Sequence, residues 1–197
     1  MYNHKLCAHK GCNLFTAEGF EYCINHAEDK EAIYKYAQDN FLKEDIEDLS
    51  LVSLQVNNRD FKNKSFQNCN FTFSTFTNCD FTSCDMTTCF FDFCLFINCK
   101  FDDSFIKYCV FSGSYIRRCS FTESTIVHSN FMGTDLFRSD FSYSDLYFSN
   151  FSMSRIINTN FEDCNLKRVN YKASAIKDTS FKYSNPEEAY FKNNGDI

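Results

Sequence analysis

From Phe61 to Phe181 a bulky apolar residue returns at every fifth position, through 25 pentads without a slip. The series opens Phe61, Phe66, Phe71, Phe76, Phe81, Met86 and closes Leu166, Tyr171, Ile176, Phe181. A period of five matches neither the 3.6 of an amphipathic helix nor the 2 of a strand. The chain must therefore turn within every pentad and bring its large residue back to the inside. Two places before each centre sits a small residue, such as Cys69, Ser74, Cys79 and Cys84, continuing to Ser174 and Thr179. Arg59, Lys64 and Val169 depart from that rule. A unit this short cannot bury its own apolar face, so the repeats must stack on one another.

A small residue, a polar one, a central Phe or Leu and two variable places resemble the unit of the pentapeptide-repeat family, and the match runs through residues 59–185. The resemblance implies a mainly β fold, a right-handed quadrilateral β-helix in which four pentads make one coil. Central residues also alternate. Every tenth residue from Phe61 to Phe191 is Phe, apart from Tyr171, while from Ile106 to Ile176 the intervening centres are Ile or Leu. On a four-sided coil this places aromatic ladders on two opposite faces and aliphatic ladders on the other two, filling a narrow interior. Coils stacked at about 4.8 Å give roughly six coils and a rod of about 30 Å.

Of the 12 cysteines, nine occupy the small position of a pentad: 69, 79, 84, 89, 94, 99, 109, 119 and 164. Such regularity is a packing rule and not a disulfide framework. Inward-facing free thiols serve as small core residues, and a dry, neutral interior offers nothing to activate them. The N-terminus lacks the apolar core of a secretory signal, so the thiols point to a reducing, cytoplasmic setting. No apolar run reaches the length of a membrane span.

The remaining thiols form a second pattern. Cys7-x4-Cys12-x10-Cys23-x2-His26 supplies three sulfurs and an imidazole, a donor set suited to tetrahedral Zn²⁺. The segment resembles the small Cys3His zinc knuckles, and residues this few need such a staple to fold. His9 is a competing ligand, with His4 a weaker one. Residues 1–27 are thus a candidate zinc-knuckle segment, and 28–50 a helical linker and N-terminal cap. Ile33, Tyr36, Ala37 and Phe41 give that helix an apolar stripe, whose natural target is the open first coil. Residues 51–185 form the β-helix. Asn185-Pro186-Glu187-Glu188 opens a short C-terminal helical cap over 186–197, with Asn185 as its N-cap. Tyr190 and Phe191 make that end a candidate homodimer contact.

Chemistry for catalysis is missing. There is no grouped-glycine phosphate loop, and His128, the only histidine in the repeats, has no nucleophile beside it by motif. The reading is a non-enzymatic module that offers one side of a rigid rod to a protein partner. The alternative comes from the resemblance: some pentapeptide-repeat proteins imitate duplex DNA, bind type II topoisomerases such as gyrase, and protect them from quinolones or inhibit them. Such mimicry needs a strong negative potential along one side. Residues 1–60 carry 11 acidic and 6 basic side chains, whereas 61–197 carry 15 and 14, so the repeats are close to neutral. Local strips such as Asp135, Asp140 and Asp145 remain. A basic field for direct nucleic-acid binding is absent. The outward places are mostly polar, and the exceptions gather in register: Tyr108, His128 and Phe148 in one column, Phe90 and Val110 in the next, Phe73 and Phe93 in a third. These seven residues are the candidate partner surface, an aromatic stripe along one corner, provided that the N-terminal helix does not fold back over them.

Overall fold

The computed structural model describes residues 5–191. Three-residue strands alternate with turns, and each strand pairs in parallel with the strand one coil further on, Asp45 with Ser65 and Ile46 with Phe66. That register makes four pentads per coil. Two parallel sheets result. One holds Asp45–Glu47, Ser65–Gln67, Asp85–Thr87, Phe105–Lys107 and Thr125–Val127. The other has seven strands and runs from Gln55–Asn57 to Ala175–Lys177. The two remaining sides are stitched by single bridges, Asp60 to Asp80 to Lys100 on one and Asn70 to Phe90 to Val110 on the other. The fold is a mainly β, parallel solenoid. We number its faces by their first Phe centres: first Phe61, second Phe66, third Phe71, fourth Phe76.

The seven strands of the fourth face mark seven coils, one more than the sequence suggests. Ile46, Leu51 and Val56 extend the five-residue series backwards, and all three are buried. Parallel pairing accordingly starts at Asp45–Glu47, ahead of residue 51, where the sequence places the start of the β-helix.

Every pentad turns at the second residue after its centre, which adopts left-handed backbone: φ is 52° at Asn68, 62° at Phe73 and 57° at Tyr108. Asn, Asp and Gly enter this region most cheaply, which accounts for Asn58, Asn78, Asn98, Gly113 and Gly133 at such corners. Between corners the Phe centres stack. Phe61, Phe81, Phe101, Phe121 and Phe141 follow one another at 4.8, 4.8, 4.5 and 4.6 Å between ring centroids. Phe91, Phe111, Phe131 and Phe151 do so on the opposite face at 4.9, 4.7 and 4.7 Å. The two opposed ladders meet edge to face across the interior, as at Phe121 and Phe131, an arrangement the ring quadrupoles favour.

All nine repeat cysteines are buried, and they do more than fill space. The small side chain donates to the carbonyl of the centre one coil back and accepts the N–H of the small residue below it. Ser104 Oγ donates to Phe81 O at 2.7 Å and accepts from Cys84 N at 3.2 Å. Cys84 Sγ in turn donates to Phe61 O at 2.9 Å. Ser and Cys thus interchange because both satisfy buried backbone groups that would otherwise go unpaired.

The helix Lys30–Phe41 is capped by Asp29, whose Oδ1 accepts from Ala32 N at 3.0 Å. Ile33, Ala37 and Phe41 are buried, and the Phe41 ring meets Phe61 edge-on at 5.0 Å. The helix therefore lids the first coil and removes an open sheet end. It is shorter than the 28–50 segment that reads as a helical linker and cap in sequence, because Ile46 is already a coil centre. At the other end Pro186–Glu188 forms only a turn of 3-10 helix. Asn185 does not cap it: its Oδ1 accepts from Leu166 N at 2.7 Å and its Nδ2 donates to Glu188 at 2.9 Å. The last segment continues the solenoid path, with Tyr190 bridged to Asn170. The rest of the expected C-terminal cap, 192–197, lies outside the described residues. Among the described residues no helix is long and apolar enough to cross a membrane.

Candidate metal centre and interaction surface

The N-terminal segment folds around its sulfurs. An antiparallel bridge joins Leu6 to Phe15, and Cys7 N donates to Leu14 O at 2.9 Å. The chain between Cys7 and Cys12 closes through a Cys12 N to His9 O bond of 3.0 Å, with Gly11 at φ 83°, a backbone that side chains resist. A second turn, His26 N to Cys23 O at 2.9 Å, brings the imidazole back beside the thiol. The ligand atoms of Cys7, Cys12, Cys23 and His26 all lie within 4.8 Å of one another.

Their spacing tests the metal directly. Sulfurs about 2.3 Å and a nitrogen about 2.0 Å from one tetrahedral ion stand about 3.5–3.8 Å apart along the edges. Here Cys12 Sγ and Cys23 Sγ are 3.9 Å apart, Cys7 Sγ and His26 Nδ1 3.6 Å, and Cys23 Sγ and His26 Nδ1 3.4 Å. The donor set fits a metal site. Burial pushes the Cys7 thiol up, but the Cys23 N–H at 3.3 Å and the other hydrogen-bonding groups around the sulfur outweigh it and bring the thiol down to about 6. Cys23 is moved the other way, to about 11, by burial and the neighbouring thiols. His9, a competitor on sequence grounds, stacks on the His26 ring at 3.9 Å and supports the ligand from behind. His4 lies outside the described residues.

The aromatic columns stand in register as the spacing implies. Tyr108, His128 and Phe148 succeed one another at 5.4 and 5.1 Å, and Phe73 stacks on Phe93 at 5.3 Å. Phe73 and Phe93 are 47% and 57% exposed, Tyr108 and Phe148 each 51%. His128 is exposed, and Phe90 and Val110 are half-buried between the columns. The N-terminal helix covers the coil end, not these side chains. The stripe is wider than one corner. The two stacked columns sit at successive left-handed corners and border the third face on either side, with Phe90 and Val110 on the face itself. Gly113 continues the Phe93 column, and a Cβ there would stand 2.6 Å from the Phe93 ring. The Phe93 ring thus lies over Gly113, and beyond Gly133 the column resumes with the exposed Met153.

Two features escape a count along the chain. Asp135, Asp140 and Asp145 are no strip, since residues five apart fall on successive faces; Asp135 is paired with Arg155 at 3.7 Å. Residues 20 apart do share a side, and the first face gathers Asp60, Asp80, Asp102, Asp103, Glu123, Asp140, Glu162 and Asp163 against Lys62, Lys100 and Lys182, with Arg118, Arg138 and Asp178 in its other corner column. The near-neutral repeats are thus polarised across the rod. The fourth face also carries partly exposed apolar groups, Leu95, Ile97, Tyr115 and Phe137, visible only once the register is fixed. Nothing among the described residues hydrogen-bonds to the His128 ring, whose neighbours are Tyr108, Tyr147 and Phe148.

Comparison with known proteins places this architecture. A family model described as pentapeptide repeats matches eight copies, over residues 57–87, 65–103, 114–152 and 129–170. No curated protein matches. Among solved structures, HetL, a pentapeptide repeat protein involved in heterocyst differentiation regulation in the cyanobacterium Nostoc, is 12% identical with a TM-score of 0.41, over 83% of this chain and 97% of that one. A pentapeptide repeat protein from the Arabidopsis thaliana thylakoid lumen is 27% identical with a TM-score of 0.36, over 44% of this chain and 57% of that one. QnrB1, a plasmid-mediated fluoroquinolone resistance protein, is 16% identical with a TM-score of 0.34, over 75% of this chain and 87% of that one.

Proposed function

The chain belongs to the pentapeptide-repeat family, and on that premise we propose that it is a non-enzymatic interaction module whose third face receives a protein partner. The observation that carries this reading is the pair of exposed, stacked aromatic columns bordering that face. Phe73, Phe93, Tyr108, His128 and Phe148 all sit at left-handed corners, where Asn, Asp or Gly is cheapest. Bulky rings there cost backbone strain and expose apolar surface, and anchoring a partner offsets both. The N-terminal knuckle holds Zn²⁺ through Cys7, Cys12, Cys23 and His26 as a structural staple. It leaves no open coordination position, so no chemistry runs through it. The free thiols throughout the chain suit a cytoplasmic setting.

Affinity capture from the native cytosol, wild type beside a Phe90→Ser, Phe93→Ser double variant, tests the reading. A partner retained by the wild type and lost by the variant supports it; equal capture by both refutes it.

The acidic first face favours one second reading, DNA mimicry toward a type II topoisomerase such as gyrase. Five of its eight carboxylates are engaged locally or by lysine: Asp60 accepts from Lys62 N, Asp80 pairs with Lys62 at 3.2 Å, and Asp102, Asp140 and Glu162 accept from Ser or Thr groups. Engagement by lysine weakens the outward field. A gyrase supercoiling assay with the purified protein separates the two readings. We expect no inhibition at low micromolar concentration, and potent inhibition would promote the mimic.

A further inference from the structure

The third face is more than apolar. From Tyr108 to Ala173, its outward positions and the corner columns beside it hold no carboxylate, in a chain of net charge -6. Toward the C-terminal end the ladder Tyr108–His128–Phe148 is continued by Arg168, and the floor by Asn150, Asn170 and Tyr190. With Lys172 and Phe148 they line a concavity of about 350 Å³. Its polar floor is already committed, since Asn150 Nδ2 donates to Asn130 at 3.2 Å and Asn170 Oδ1 accepts from Lys172 N at 3.0 Å. Its cations have no acidic partner among the described residues. Glu188, one coil on from Arg168, pairs with Lys167 at 3.8 Å. Lys172 Nζ lies over the Tyr190 ring at 5.7 Å. Among the described residues no acidic side chain pairs with Arg168 or Lys172.

We propose that the third face takes an extended acidic segment of a partner protein, with apolar side chains against the two aromatic columns and a carboxylate at Arg168 and Lys172. This rests on the reading of the third face as a partner surface and adds the chemistry of what binds. The charge is complementary where it is unpaired: two cations without an acidic partner close one end of an apolar trough, while the opposite side of the rod is acidic and repels the same segment. A guanidinium beside aromatic rings matches a carboxylate bidentately. A single-stranded nucleic acid also prefers rings and cations, but its phosphates need cations along the whole path. Here they stand at one end only, and Asp92 lies toward the other.

The test is selection of random peptides of about 12 residues, long enough when extended to follow the face, displayed on phage against the full chain. Selected peptides are then measured by fluorescence anisotropy on wild type and variants whose melting curves match it. Enrichment of Asp or Glu next to aromatic or aliphatic residues is expected, with affinity falling about tenfold or more in Arg168→Glu and in Phe148→Ser, and unchanged in Tyr115→Ser on the fourth face. Peptides lost with Phe148→Ser but indifferent to Arg168→Glu overturn the acidic occupant and keep the third face as a binding surface. Peptides indifferent to both, or no enrichment, overturn the site as well. Binding of a single-stranded oligothymidine that Arg168→Glu abolishes, or self-association in sedimentation that Phe93→Ser abolishes, overturns the proposal in favour of nucleic acid or a second copy.

Discussion

Phe121→Ala probes the packing on which the rod depends. Phe121 is fully buried, stacked between Phe101 at 4.5 Å and Phe141 at 4.6 Å, and edge-on to Phe131 at 6.4 Å. Truncating a buried Phe costs about 3–5 kcal/mol through lost transfer energy and the cavity left behind. Two stacked contacts, each worth about 0.5–1.5 kcal/mol beyond burial, put this site in the upper half of that range. The cavity cannot collapse easily, because Phe101 and Phe141 are each fixed by the next rung of the same ladder. Coils touch only their neighbours, so the loss falls on one interface in the middle of the rod. Glu123, two residues on, is exposed at a corner, and Glu123→Ala is expected to cost well under about 1 kcal/mol. The assay is urea unfolding followed by far-UV circular dichroism, as the chain contains no Trp. Midpoints are compared at constant slope. Equal shifts for the two variants would refute the assignment of inward and outward columns.

Purified protein is expected to hold about one Zn²⁺ per chain, and Cys12→Ser to lose it; elemental analysis finding no metal in protein never exposed to chelator sinks the assignment. Burial pushes the Cys84 and Cys164 thiols up to about 12, so the neutral forms persist well above pH 7 and the repeat thiols resist alkylation until the rod unfolds. Mass mapping of native protein that finds early labelling in residues 69–164 contradicts this. Thr88 is a β-branched residue at φ 56°, and Thr88→Asn is expected to stabilise by about 1 kcal/mol; a lower melting temperature denies that the corner is strained. Gly113→Val is expected to lower the melting temperature, since it combines a left-handed backbone with a Cβ that would stand 2.6 Å from the Phe93 ring; an unchanged melting curve shows that the ring is free to move away.

The solenoid was legible because its signal is periodic. Twenty-five centres and their small partners admit one register, and the alternation of Phe with Ile and Leu assigns the faces. The Cys3His cluster was legible because its four donors stand at knuckle spacing. What the sequence hid is geometry between coils. Asp135, Asp140 and Asp145 look adjacent on paper and fall on three faces, whereas the acidic first face is dispersed over residues 60–163. Ser and Cys share one column because both bridge backbone groups, which hydrophobicity alone does not reveal. Asn185 reads as a helix cap and instead spends its side chain on Leu166 N, because the ladder above it has an open donor. Ile46 belongs to the coil although it is not Phe and sits in a stretch that reads as helix, so the rod begins ahead of residue 51.

The central claim is that the third face is where a partner sits, and site-specific photocrosslinking tests it most directly. Benzoyl-phenylalanine is placed at Phe93 on the third face or, as a control, at Tyr115 on the fourth; both side chains are about half exposed. Irradiation in the native cytosol is predicted to join the Phe93 probe to a discrete protein and to leave the Tyr115 probe without that adduct. An adduct at Tyr115 alone, or the same adduct from both, would contradict the account.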